Sequence, residues 1–424
     1  MPLNLKQAMQ AYFPPDILVQ LKTVGEVAQE HGCELYLIGG SVRDMLLPGR
    51  EFDWDIDLVS ETDLMLEVAH DLHDRWGGSF QHFEQYGTAK LRLEKLELDF
   101  ARARTEVYNA PGANPVVAFS SLEKDLIRRD FSINAMALAI SPQRFGELID
   151  PFGGLEAMQQ QRLEALHDQK FIEDPVRSWR AARFSVGLDF QLTPQTRHWI
   201  QQAMASGHFD FFFSVRILRE LRKILKKPNP LPYFQRLEEL DVWRCLSDYP
   251  LWCESLVNFC HAVPRWTAFW SPECVPSVYL LGLLVHLPLK DAKTLVPQLE
   301  LSKTEARAWE DWVSFVPEAL EEADSPSEIY EVLESLSPLC QYLLAALYTG
   351  EPMEDRMLLY ARHLQHTHLE ISGKVLLQWV SPGPHIKDML HQLLCEKLNG
   401  ELPTQALETA RAKQLAERFA NAEY

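Results

Sequence analysis

The run Trp54-Asp-Ile-Asp-Leu-Val59 constrains this chain more than any other stretch, because its alternation has a use only on an extended backbone. Successive side chains of a strand point to opposite faces, so Asp55 and Asp57 share one side while Ile56 and Leu58 enter a core on the other. A glycine turn, Leu37-Ile-Gly-Gly-Ser-Val-Arg-Asp44, lies just upstream. Two carboxylates on one face make half of a site for a pair of hard cations such as Mg²⁺, and a third is expected from a neighbouring strand. Asp99 is the candidate: Leu96, Leu98 and Phe100 alternate around it and turn its side chain away from theirs.

At 424 residues the chain is too long for one core, and two or more domains are expected. With 46% hydrophobic and 24% charged residues, it has the balance of a folded protein and not of a disordered one. The start, Met1 to Lys6, shows no basic segment followed by an apolar block, and no window approaches 18 uncharged apolar residues. A cytoplasmic protein without membrane spans is therefore expected. The seven cysteines, at 33, 245, 253, 260, 274, 340 and 395, include no Cys-x-x-Cys pair and read as buried free thiols, with neither zinc nor a disulfide framework expected. The net charge of -19 argues against indiscriminate nucleic-acid binding but hides an asymmetry. Residues 171–227 hold 10 Lys or Arg against 5 Asp or Glu, whereas residues 231–340 hold 7 against 18. A polyanion is drawn to the middle of such a chain.

Apolar residues at Ile17, Leu18, Leu21, Val24 and Val27 predict a helix ending near Gly32, so residues 1–30 form an entry segment. From 31 to 154 strand and helix signals mix: a strand at Leu35–Ile38, a short helix from Ser41 to Leu47, and a strand at Ile56–Val59. A helix from about Thr62 and an alternating run from Lys90 to Phe100 follow. This reads as one α/β domain, closed by the turn Asp150-Pro-Phe-Gly-Gly154. Beyond it helical spacing dominates, and 155–424 is expected to be all helix. A break at Pro228-Asn-Pro-Leu-Pro232 separates a basic segment, 155–227, from an acidic one, 228–350, with 351–424 as the tail. One late helix carries Ile386, Met389, Leu390, Leu393, Leu394 and Leu398, and Asn399-Gly400 stops it.

Four further motifs carry chemistry. Gly39-Gly40 before a helix offers backbone N–H groups to an anion, with Arg43 one turn in, although a glycine pair alone is more often a tight turn. Arg128-Arg-Asp-Phe-Ser-Ile-Asn134 brings Arg129 to a phosphate or ribose, with Asp130 and Asn134 bracing the fold. Glu173-Asp-Pro-Val-Arg177 opens a helix on which Arg177, Arg180 and Arg183 recur every third residue. There Asp174 can accept from an exocyclic amine while Arg177 donates to the adjacent ring acceptor, a pairing that cytosine and adenine offer. The stretch Arg216, Arg219, Arg222, Lys223, Lys226 and Lys227 suits the phosphates of a folded RNA read by shape, and Phe209–Phe213 before it reads as core.

In this order and spacing the motifs from Leu35 to about Lys227 resemble the bacterial-type (class II) tRNA nucleotidyltransferase and poly(A) polymerase family. The resemblance implies an α+β protein: a polymerase β-like nucleotidyltransferase head followed by all-helical neck, body and tail. It also implies two Mg²⁺ ions on Asp55 and Asp57, triphosphate and ribose contacts at Gly40, Arg43 and Arg129, and base reading by Asp174, Arg177, Arg180 and Arg183. CTP and ATP are the implied substrates and the tRNA 3′ end and acceptor arm the implied partner. The Phe171-Ile-Glu-Asp-Pro-Val-Arg177 wording is similar to A-adding members, and the Arg104–Pro115 loop is long enough to move, as goes with adding A in the family. A poly(A) polymerase, or a noncatalytic RNA-binding protein with a decayed head, shares the same motifs. Where relatives often have Glu-Arg before the late neck helix, this chain has Val215-Arg216.

Overall fold

The computed structural model describes residues 3–83, 87–210, 212–247 and 251–422, with side chains to residue 418. Its architecture grows from the alternating segments. A seven-stranded mixed sheet runs in the order β3 (Ser79–Phe83), β4 (Thr88–Arg92), β5 (Glu97–Arg102), β2 (Asp55–Ser60), β1 (Tyr36–Ile38), β8 (Ala137–Ala139) and β9 (Leu148–Ile149). Every pairing is antiparallel except β2 with β5, whose parallel register sets Asp55 beside Glu97 and Asp57 beside Asp99. Ile56, Leu58, Ala89, Leu91, Leu98 and Phe100 are buried on one face, against α4 (Met65–Trp76), on which α2 (Pro15–Glu30) packs in turn. The hydrophobic burial that fixes this register also commits the alternate residues to the opposite, open face.

Three expectations need correction here. The run from Lys90 to Phe100 is not one strand but two, β4 and β5, folded back at residues 93–96, so its alternation belongs to a hairpin. Helix α4 starts at Met65 and not near Thr62, because residues 61–64 turn the chain out of β2 before the helix can begin. The region after 154 is not wholly helical: β10 (Arg162–Leu163) and β11 (Gln191–Leu192) pair in parallel, too short to show a strand period. At the boundary turn, the Asp150 carboxylate accepts the N–H groups of Gly154 and Leu155 at 2.7 and 2.9 Å and starts α6 (Gly154–Gln159).

The chain divides into two compact units, Met1–Phe212 with Gln235–Cys245, and Phe213–Phe234 with Leu246–Tyr424. Within the first, a small hairpin of β6 (Arg104–Val107) and β7 (Val116–Phe119) leads into α5 (Leu122–Ile127). Two further helices, α7 (Lys170–Glu173) and α8 (Val176–Gly187), follow, and then α9 (Pro194–Ala205). Phe209 is buried there as expected, Phe212 is half-buried, and Phe211 lies outside the described residues. The second unit opens with α10 (Val215–Leu225) and holds helices and no strand among its described residues. Leu281, Leu283, Tyr342 and Leu343 form part of its interior, with Tyr342 stacked on Trp270 at 5.4 Å. The cysteines are free but not uniformly buried: Cys253 is exposed, and Cys274 and Cys395 are half-buried. Among the described residues no helix is long and apolar enough to cross a membrane.

Candidate active site

The open face of β2 and β5 gathers four carboxylates, because parallel pairing repeats the alternation of each strand across the gap. Oxygens of Asp55, Glu97 and Asp99 lie within 4.8 Å of one another. From β4, Lys90 Nζ reaches Asp99 Oδ2 at 2.9 Å and also bonds Glu97, which Arg92 holds from its other side. That is too little positive charge for the cluster. Desolvation, then repulsion from Asp99 and Asp57, pushes the Asp55 carboxyl up to about 6. Desolvation also raises Asp57, against the pull of Arg129. Asp99 Oδ1 is buried with no hydrogen-bond partner among the described residues. An all-oxygen, electron-rich donor set with an unpaired buried oxygen fits a hard divalent cation, which compensates charge that Lys90 cannot.

The glycine turn meets this face directly. Gly39 has φ of 76°, and a Cβ there would lie 3.0 Å from Asp57 Oδ2 and 3.7 Å from Arg129 Nη1. Backbone, carboxylate and guanidinium thus crowd one spot that only glycine permits. Arg129 donates through Nη2 to Asp125 at 3.0 Å, while its Nε is buried without a partner among the described residues. Arg43, on α3 (Gly40–Met45), turns inward. It clasps Asp44 at 2.8 and 2.7 Å and donates to the Asn134 side-chain oxygen at 2.7 Å. Asn134 in turn donates to Asp130, which also binds Arg180 at 2.5 Å. The expected bracing by Asp130 and Asn134 is present, but residues 132–134 form one 3₁₀ turn and not a continuing helix. The guanidinium carbons of Arg43, Arg180 and Arg183 stand 4.9, 5.1 and 4.2 Å from the centroid of the Phe184 ring.

Just ahead of α8, Asp174 Oδ1 accepts the Val176 N–H at 3.2 Å, so the residue proposed from sequence to read a base also bonds the first N–H of the helix. Arg177 is buried, and both of its terminal nitrogens are engaged. It donates to Glu173 at 3.1 Å, to the Arg128 and Lys170 carbonyls at 3.0 and 3.2 Å, and to Tyr108 Oη at 3.4 Å. Its Nε is 4.0 Å from Asp174. Burial, reinforced by the Arg177 charge, lowers the neighbouring Lys170 ammonium to about 8. The loop after β6 closes over this group: Tyr108 bonds Glu106, and the Gly112 N–H reaches the Glu173 carbonyl at 3.1 Å.

Residues 35–164 match the poly A polymerase head domain family. Over 421 residues the chain is 30% identical to an A-adding tRNA nucleotidyltransferase of Halalkalibacterium halodurans, a match that covers 96% of this chain and 95% of that relative. The chain belongs to the tRNA nucleotidyltransferase and poly(A) polymerase family. A-adding tRNA nucleotidyltransferases of Aquifex aeolicus and Geobacter sulfurreducens are 34% and 31% identical over 79% and 96% of this chain. The chain spans only 41% and 48% of the lengths of those two relatives. A solved apo CCA-adding enzyme aligns with TM-score 0.81 and 26% identity over 96% of this chain and 98% of its own. The Thermotoga maritima CCA-adding enzyme complexed with tRNA aligns with TM-score 0.79 and 26% identity, over 97% and 99%.

For this family member the fold brings Asp55, Asp57, Asp99, Gly39 and Arg129 into one neighbourhood, and gathers Arg43, Arg180 and Arg183 around Phe184. The basic residues of α10 do not act alike. Arg222 binds buried Glu305 at 3.0 and 3.2 Å, and Lys223 bonds Glu220 at 3.0 Å. Arg219, Lys223, Lys226 and Lys227 are exposed, while Arg216 is half-buried. Sequence reasoning missed Glu97, Lys90, Glu106, Tyr108 and Phe184. Glu97 was within reach, two residues from Asp99 and therefore on its face; the others join the site through tertiary contacts that no spacing announces.

Proposed function

We propose that this protein is a cytoplasmic, template-independent nucleotidyltransferase that adds A from ATP to the 3′ end of tRNA. Its similarity to A-adding tRNA nucleotidyltransferases supports this reading over addition of the whole CCA triplet. The observation that carries it is the under-compensated carboxylate face of β2 and β5 pressed against the Gly39 turn. Asp55, Asp57 and Asp99, with Glu97 beside Asp55, would hold two Mg²⁺ ions in this reading. Bound there, the ions would neutralise the triphosphate and acidify the attacking hydroxyl. Arg129, poised between Asp125 and Gly39, and Arg43 beside Phe184 orient the triphosphate or ribose, with the Gly39-Gly40 turn. The RNA 3′-hydroxyl attacks the α-phosphorus in line, an ester O–P bond forms, the α–β anhydride breaks, and pyrophosphate leaves.

Asp174 and Arg177 read the base edge, with Arg180 and Arg183 on the same helix completing the nucleotide-reading group. Because Arg177 now spends donors on Glu173 and Tyr108, base reading exchanges at least one of these for the nucleotide. Residues 31–154 act as the head, 155–227 as the neck, 228–350 as the body and 351–424 as the RNA-gripping tail. The exposed Arg219, Lys223, Lys226 and Lys227 contact RNA phosphates, with Arg216 and Arg222 holding the helix that presents them. The test is a single-turnover assay on tRNAs ending before C74, after C75 and after A76, with CTP alone, ATP alone and both. A-addition confined to the tRNA ending in CC supports the proposal. Addition of C in the CTP lanes makes the enzyme CCA-adding, and runs of A on any end make it a poly(A) polymerase.

A further inference from the structure

No Cys-x-x-Cys spacing exists in this chain, yet the second compact unit places one thiol in a mixed donor set. Helix His385–Leu398 presents His391 and Cys395 one turn apart and therefore on one face, and helix Pro326–Glu334 lays Glu331 against them. The same three atoms make every pair: His391 Nε2 is 3.1 Å from Glu331 Oε1, Cys395 Sγ is 3.4 Å from that oxygen, and Cys395 Sγ is 3.8 Å from His391 Nε2. Tetrahedral zinc, with Zn–S about 2.3 Å and Zn–N or Zn–O about 2.0–2.1 Å, sets its ligands roughly 3.4–3.6 Å apart. The triangle's edges of 3.1, 3.4 and 3.8 Å bracket that spacing, so side-chain shifts of a few tenths of an ångström seat one ion.

The frame of this triangle is held independently of it. Met389 and Leu393 on one helix and Ile329 and Leu333 on the other are buried, and the Asn399 side-chain oxygen accepts the Ser327 N–H at 3.0 Å. The donors themselves remain open to solvent, with the His391 side chain 60% and the Glu331 side chain 49% exposed, so an ion enters without disturbing a core. An imidazole–carboxylate ion pair needs no sulfur, whereas a nitrogen, an oxygen and a sulfur converging on one point match what a borderline-soft cation selects.

We propose that Glu331, His391 and Cys395 form a binding site for Zn²⁺ or a cation of its class, with water as the fourth ligand, and that the ion staples the two helices together. Binding releases the thiol proton to solvent and involves no change of oxidation state. The donor chemistry separates this site from the oxygen-only face of the head, which favours hard cations.

Full-length protein stripped with chelator is titrated with Co²⁺ alone, then with Zn²⁺. One equivalent of cobalt should produce a near-ultraviolet thiolate-to-cobalt charge-transfer band that zinc bleaches and that the oxygen ligands of the head cannot generate. The band should vanish in Cys395→Ser, and cobalt should bind at least tenfold more weakly in His391→Gln and Glu331→Gln. Zinc should also raise a melting transition of the wild type and leave that of Cys395→Ser unmoved. Far-ultraviolet circular dichroism checks that each variant is folded; if Cys395→Ser is not, the two glutamine variants decide the matter through cobalt affinity. A band that persists in Cys395→Ser, no band at saturating cobalt, or unchanged affinity in both glutamine variants overturns the proposal.

Discussion

Two groups of carboxylates in the same compact unit respond to the protein in opposite ways. On the β2–β5 face Asp55 rises to about 6 and Asp57 rises with it, although both side chains reach solvent. Beside it Glu106, Asp125 and Asp130 are more enclosed, yet all three are pulled below the usual carboxylate range. Burial opposes their ionisation first, but Arg128 and Arg104 outweigh it at Glu106, and Arg129 and Arg128 do so at Asp125. Arg180 and the Asn134 amide hold Asp130 at about 2. Depth is therefore not what decides; the number of donors facing each oxygen is. A carboxylate group with its donors supplied is scaffold, and one left short of positive charge has the electrostatics that a cation-ligand set needs.

Substitutions can break that contrast. The largest effect is expected for Asp57→Ala, which should slow single-turnover nucleotidyl transfer on the order of 10⁴-fold, about 5.5 kcal/mol of transition-state stabilisation, without lowering the melting temperature. Unfolding at lower temperature instead would move Asp57 into the scaffold class. Asp130→Ala should do the reverse, because it strands Arg180 and Asn134. A loss of about 3–5 kcal/mol, typical of a broken buried ion pair, is expected in denaturant titration of the unit that holds it. Gly39→Ala adds a Cβ 3.0 Å from Asp57 Oδ2 on a left-handed backbone. It should cost about 1–3 kcal/mol in stability and lower the transfer rate as well.

The smallest effect sharpens the contrast through its sign. Asp130 has a depressed pKa, so its contribution to stability is present above the ordinary aspartate range and is lost as pH falls through about 2. Asp55 has a raised pKa, so in metal-free protein its contribution is present below the ordinary range and is lost as pH rises through about 6. A cation competes with that proton. Apparent Mg²⁺ affinity, followed by isothermal titration, should weaken by up to about tenfold per unit as pH drops below 6, and Asp55→Asn should flatten the dependence.

Much of the head was legible because its signals are local. The helix over Pro15–Glu30 follows from its apolar spacing, and β2 from the alternation of Asp55, Ile56, Asp57 and Leu58. Asp99 could be chosen as a third carboxylate because its own strand alternates. The errors cluster where length or partner is at issue: one run read for two strands, a helix start three residues early, and a two-residue strand pair with no period at all. The basic stretch of α10 shows the same limit in the site. Its composition raises the expectation of an RNA-facing surface, but only the fold shows that Arg222 is taken up by Glu305.

The chain by itself determined which side chains share a strand face or a helix face, because those periods are properties of the backbone and need no neighbour. It thereby determined that Asp55 and Asp57 point together, and that His391 and Cys395 do. What each pair faces was decided by tertiary structure alone: Glu97 and Asp99 across a parallel strand, and Glu331 across a helix contact. Charge balance, and with it the difference between a scaffold and a ligand set, depends on groups far apart in sequence. Those groups meet only once hydrophobic burial has fixed the register of the elements that carry them.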